Sequence, residues 1–142
     1  MAEHTVQPVP TYLVPAIWPS VAAIVQRGVD ASRGDRHAED YYAVCASGSA
    51  TLWLIGRDNA VVAICISEVV QYPQRRIALL DLLAGEGIFG WLSHLDAAVE
   101  QWAQERGCSA IQAGGRPGFA PVTKPLGYRA IGVVVERSVH HV

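Results

Sequence analysis

Ile77-Ala78-Leu79-Leu80-Asp81-Leu82-Leu83-Ala84-Gly85-Glu86-Gly87-Ile88-Phe89-Gly90-Trp91 is the stretch on which the fold turns. Its first part is apolar and short, bounded upstream by the Tyr72-Pro73-Gln74 turn, and it reads as a strand over Arg75 to Leu83. Its second part spaces glycines at 85, 87 and 90, a literal G-x-G-x-x-G. Behind the glycines, Ile88, Trp91, Leu92, Leu95, Val99 and Trp102 recur on one helical face. Asp96, Glu100, Gln104 and Glu105 fall largely elsewhere. Arg106-Gly107 stops this helix. Strand, glycine turn and helix therefore follow one another without a gap.

Upstream, the period is that of strands. Thr51 to Ile55 and Ala60 to Val70 are strands joined by the turn Arg57-Asp58-Asn59. Three strands so tightly linked form an antiparallel meander. Before them come two helices, from Pro15 or Trp18 to Val29 and from His37 to Ala46, and a loose arm over residues 1–10. Downstream, Cys108 to Ala113 is a short strand reached by a parallel crossover. Then come the loop Gly114-Gly115-Arg116-Pro117-Gly118, a proline-interrupted helix within Phe119 to Leu126, and a last strand from Tyr128 to Arg137. The expected fold class is α/β with a mixed sheet. An antiparallel meander leads into a β-α-β unit, and residues 1–142 form one domain.

Composition narrows the function. The 142 residues are 51% apolar and carry a formal net charge of −2. That excludes global disorder and gives no footprint for direct nucleic-acid binding. The longest apolar run is too short to span a bilayer, and the N-terminus does not read as a signal peptide, so a cytoplasmic, membrane-free chain is expected. Cys45, Cys65 and Cys108 are odd in number and widely spaced, which suits small buried hydrophobes. His140-His141 has no Asp or Cys at ligand spacing, so no metal is expected.

The glycine loop admits two readings: a cradle of backbone amides for an anion at a helix start, or simply a tight turn. A dinucleotide oxidoreductase is excluded by context. The strand Cys108 to Ala113 ends without an acidic residue for a ribose, and hairpins stand where parallel units should.

The element order, together with Gly85 to Gly90, Gln101 to Cys108 and Leu126-Gly127-Tyr128, resembles the GNAT acyltransferase superfamily. More narrowly, Trp53, Tyr72-Pro73, Gly85-Glu86-Gly87, Trp91, Trp102-Ala103, Gly107-Cys108 and Gly115 to Phe119 look like a divergent GNAT-like group of tailed bacteriophages, some of them internal virion proteins. The resemblance implies acetyl-CoA or another acyl-CoA as cofactor, with its pyrophosphate at Gly85, Gly87 and Gly90. It also implies two parallel strands, Ile77 to Leu83 and Cys108 to Ala113, splayed around the pantetheine arm. The implied reaction is transfer of the acyl group to a protein or small-amine acceptor. For the phage group, a virion or host protein is the implied partner, and the host cytoplasm or the virion the implied place.

Two departures from the family pattern stand out. The Gln or Arg that usually leads the loop is replaced in each register, by Leu82, Ala84 or Gly87. The usual tyrosine acid is Thr123, on a segment deformed by Pro121 and Pro125. A non-catalytic scaffold on the same fold is therefore the competing reading.

Acyl transfer to an amine needs a proton acceptor, and Asp81 and Glu68 are the candidate catalytic carboxylates. Strict alternation puts Asp81 on the face of Ile77, Leu79 and Leu83, a partly desolvated setting. Glu68 interrupts the apolar run Ile64 to Val70 and can face the same cleft or solvent. Arg116, held among glycines, can clamp a phosphate or carboxylate of the cofactor, or pin its own loop.

Overall fold

A computed structural model describes residues 3–114 and 119–140. Strands β1 (Thr5–Pro8), β2 (Thr51–Arg57), β3 (Ala60–Gln71), β4 (Arg76–Gly85) and β5 (Ala110–Ala113) form one sheet in the order β1-β2-β3-β4-β5. The first three pairings are antiparallel, and β4 with β5 is parallel. Helices α1 (Val14–Asp30) and α2 (Ala38–Ser47) cover one face. Helix α3 (Ile88–Glu105) covers the other. A short α4 (Phe119–Thr123) follows β5. The mixed α/β class expected from the sequence is the observed one.

Local chemistry fixes the joints. Asp58 and Asn59 both take positive φ, 54° and 62°, which makes the β2–β3 connection a two-residue hairpin turn. The carboxylate of Asp40 accepts a hydrogen bond from the His37 amide at 2.8 Å and fixes the start of α2. Gly48, at φ 85°, ends that helix.

The sheet is the wall between two apolar clusters. On the α1/α2 side, Val21, Ile24 and Val25 pack with Ile64, Ile66, Leu82 and Ala84. On the α3 side, Trp91, Leu95, Val99 and Trp102 pack with Trp53, Cys65, Ala78 and Leu80. The stripe read from the sequence of α3 is thus the buried one. Trp102 meets Trp53 edge-on, with ring centroids 5.8 Å apart. The Trp53 indole donates to Ser67 Oγ at 2.9 Å.

Two expectations are corrected. Within the arm expected to be loose, Thr5 to Pro8 pair with Trp53 to Gly56 at the sheet edge. Its alternation was hidden by two prolines, both tolerable at an edge. The strand expected over Tyr128 to Arg137 is not formed: no helix or strand is present from 128 to 140. A strand exists only against a partner, and β-branched composition alone does not supply one.

Burial also sets the titration of the core. Desolvation first, and the Asp81 carboxylate second, push the Tyr41 phenol up from 10.0 to about 12. Desolvation first, and Glu68 second, push the Cys45 thiol from 9.0 to about 12. Both groups are neutral in the fold at a pH where the unfolded chain would ionise them. Their contribution to stability is complete below about pH 9 and is lost as the pH rises toward 12. Denaturation midpoints measured across pH 8 to 12 should fall over that window and be flat below it. Truncation of Trp102 to alanine should cost about 3–5 kcal/mol in chemical denaturation, and a near-parental midpoint would show that its burial contributes little.

Candidate functional site

Strands β3 and β4 pair in register from Gln71 with Arg76 up to Ser67 with Leu80, and pairing resumes at Ile66 with Leu82. Asp81 is the residue left over, a β-bulge. Ala78 and Leu80 face the α3 cluster, whereas Leu82 and Ala84 face the α1/α2 cluster. In an unbroken strand all four would share a face. The expected grouping of Asp81 with Leu83 is therefore corrected. Leu83 packs on the α3 side, while the Asp81 carboxylate meets the loop between α1 and α2.

The bulge coincides with the end of the parallel pairing. Pairing of β4 with β5 runs from Ile77 with Ala110 to Leu80 with Ala113, the whole length of β5. Asp81 is the first residue of β4 beyond it. Among the described residues, β4 has no paired neighbour on that side from Asp81 to Gly85.

Asp81 and Glu68 come together through a residue that the sequence reading did not single out. Arg36 Nη1 donates to Asp81 Oδ2 at 2.9 Å and to Glu68 Oε1 at 3.2 Å. Its guanidinium lies 5.5 Å from the Tyr41 ring centroid. Burial works against the charged Arg36, but Glu68 and Asp81 outweigh it and hold its pKa above the ordinary value. Two carboxylates around one guanidinium leave the cluster one net negative charge. Arg36 sits in a polar loop, 45 residues from Asp81 in sequence. No local pattern marks so distant a partner.

The glycine loop divides into positions with different duties. Gly85 has φ 131°, and a β-carbon there would collide with Ala63 of β3. It is the close-approach glycine. Gly87 has φ 74° and open space around it, and it caps the start of α3. Gly90 lies inside α3, where its amide already donates to the Gly87 carbonyl at 2.8 Å. Expected as a phosphate contact, it has no amide to offer, because that amide is already bonded within the first turn of α3. The amide of Glu86 is likewise taken, by the Val62 carbonyl. The amides of Gly87, Ile88 and Phe89 have no acceptor among the described residues. The Trp91 indole donates to the Glu86 carbonyl at 2.7 Å and braces the turn from below. Glu86 itself turns to Arg27 of α1, at 3.6 Å. Arg27 is the second cation that sequence reasoning missed, and the only cue to it was its place in the last turn of α1.

Thr123 is buried, and its hydroxyl donates to the Ala120 carbonyl at 3.0 Å within its own helix. It faces no substrate as an acid. Arg116, expected to clamp the cofactor, lies outside the described residues. Tyr42 packs against Trp18, with centroids 5.2 Å apart.

No protein-family model matches this chain, and no curated protein matches it in sequence. Solved structures do. The aminoglycoside N-acetyltransferase AAC(6')-Iy in complex with CoA superposes with a TM-score of 0.74 at 13% identity, covering 99% of this chain and 97% of the other. A predicted acetyltransferase with acetyl-CoA from Clostridium acetobutylicum gives 0.69 at 16% identity, over 97% and 99%. A transcriptional regulator from Bacillus halodurans C-125 gives 0.67 at 16% identity, over 96% and 100%. Identities this low carry the fold and not the activity. The narrower resemblance to a phage group gains nothing from these matches. With its antiparallel meander, glycine turn, parallel β4–β5 pair and flanking helices, the chain has a GNAT-like fold.

Proposed function

We propose that this protein binds acyl-CoA and transfers the acyl group to an amine. The observation that carries the reading is one junction. The bulge at Asp81 falls where the β4–β5 pairing ends, and β4 then runs directly into a helix start with three amides unbonded among the described residues. That geometry suits a long ligand with a polyanionic head. Two of the structures with the same fold hold CoA or acetyl-CoA.

The residues present fit such a ligand. The amides of Gly87, Ile88 and Phe89 would take its pyrophosphate, with Arg27, paired to Glu86, as the cation at that turn. The unpaired backbone of β4 past Asp81 would run beside its arm. Bound acyl-CoA supplies a thioester carbonyl as the acyl donor. The chain's own contribution is at Arg36, Glu68 and Asp81. The net negative cluster attracts a cationic amine, and Glu68 Oε2, free of hydrogen bonds among the described residues, can accept its proton. Arg36 holds both carboxylates in place while this happens.

A scaffold without turnover is the second reading, with a virion or host protein as its partner. The turned-in Thr123 hydroxyl favours it.

Calorimetric titration with CoA and acetyl-CoA separates the two. The parent should bind, and Gly87→Val should not, because a β-branched residue resists φ 74° and crowds the anion. Gly90→Ala should bind like the parent, since its amide is already used. Glu86→Gln should bind more tightly by freeing Arg27. No binding by a folded parent would select the scaffold.

With a turnover assay in hand, Glu68→Gln should lower kcat by roughly 10²–10⁴-fold with CoA affinity nearly unchanged. Undiminished turnover would remove Glu68 from the chemistry.

A further inference from the structure

One glycine of the motif at the turn is left without a duty. Gly90 has no amide to offer a ligand, because that amide is bonded to the Gly87 carbonyl. What it offers is room. A β-carbon at position 90 would lie 2.9 Å from His4 Cε1, so the His4 ring rests close against the bare backbone of the first turn of α3. His94 stands four residues further on, along the same face of the helix. The two imidazole centroids are 6.3 Å apart, and the ring planes are tilted by 39°.

Both rings are carried by fixed elements. His4 leads into β1 and shares a face with Val6, which packs in the α3 cluster. Pairing with β2 from Thr5 to Pro8 holds that strand. On α3, the buried Trp91 and Leu95 anchor the turn that carries His94. Yet neither imidazole makes a hydrogen bond or an ion pair among the described residues. His94 is exposed and His4 half-buried, so the space between them is open to solvent. Two such rings are ligands for a borderline divalent ion such as Zn²⁺. The ion sits about 2.0–2.1 Å from each ligating nitrogen, which at a tetrahedral angle brings the two centroids to roughly 5 Å. Rotation of the unbonded His94 side chain closes that gap.

We propose that His4 and His94 hold Zn²⁺, or another divalent ion that imidazole favours, and that the ion clips the edge strand β1 to the first turns of α3. Among the described residues no third thiol, carboxylate or imidazole completes a cluster with the pair, so water fills the other positions and the site is an open one. The clip has something to hold. β1 is four residues long and pairs on one side only. A short strand at a sheet edge has few contacts to lose and opens early. Only the fold brings residues so distant in sequence together, so the ion binds the folded chain and stabilises it by mass action. The same distance hides the pair from any search for local ligand spacing. The assignment stands independently of acyl transfer.

Calorimetric titration of the full-length chain with Zn²⁺ tests it, in a background carrying His140→Ala and His141→Ala so that the two terminal imidazoles do not compete. That background chain should bind one ion. His4→Ala and His94→Ala, each added singly, should abolish binding at ion concentrations that saturate the background, with circular dichroism unchanged. His37→Ala, which removes an imidazole elsewhere, should bind as the background does. Zn²⁺ should raise the thermal midpoint of the background and of His37→Ala, and leave those of His4→Ala and His94→Ala in place. Hydrogen exchange over β1 should slow when the ion is added. No binding by the folded background chain overturns the proposal. So does binding that survives the loss of either His4 or His94, or that His37→Ala removes. Binding that leaves exchange over β1 unchanged overturns the clip.

Discussion

Asp81 is one residue more than β3 can pair with, and the strand turns over to accommodate it. Before the bulge, β4 gives Ala78 and Leu80 to the α3 cluster. After it, Leu82 and Ala84 go to α1 and α2. In a continuous strand those four would share one face, and Asp81 would lie on the other with Ile77, Leu79 and Leu83. The extra residue reverses the facing midway along the strand. It also explains why a carboxylate is acceptable there: unpaired in the ladder, Asp81 can reach out of the sheet to Arg36.

The ion cluster depends on the same displacement. Glu68 follows Ile64 and Ile66 along the α1/α2 face of β3, and the bulge brings Asp81 to that face as well. Arg36 then ties the loop before α2 to two central strands. The loop between α1 and α2 is long and polar, and this contact ties it to the sheet at the bulge. Tyr41 packs beneath the guanidinium as part of the core. The proposed anion and amine sites therefore lie along one strand, joined by the backbone from Asp81 to Gly85.

Much of this was legible in the sequence where the signal was periodic. The α3 stripe, the hairpin at Asp58-Asn59 and the three-strand meander follow from spacing and turn chemistry, and each is observed. Asp81 and Glu68 stood out because charge is unusual in apolar strands. Their face was misjudged for Asp81, since a single-residue bulge leaves no mark in a run of Leu and Ala. Arg36 and Arg27 were missed because long-range ion pairs have no local pattern. Gly90 was over-read: a glycine in a helix's first turn looks the same in sequence as one in the loop before it. The final strand was expected from composition, and composition does not supply the partner a strand needs.

Three of the four tryptophans, Trp53, Trp91 and Trp102, belong to the α3 cluster, and they differ in their surroundings. Trp53 is bonded to Ser67, and the Trp102 indole nitrogen is buried with no partner among the described residues. Trp91 alone is bonded to the glycine turn, through the Glu86 carbonyl. Its ring is wholly buried, so solvent does not perturb it directly, whereas any shift of the turn alters the one polar contact it has. The fold thereby contains an intrinsic fluorophore bonded directly to the glycine turn. Emission from the native chain, with no label attached, would report the state of that turn in real time.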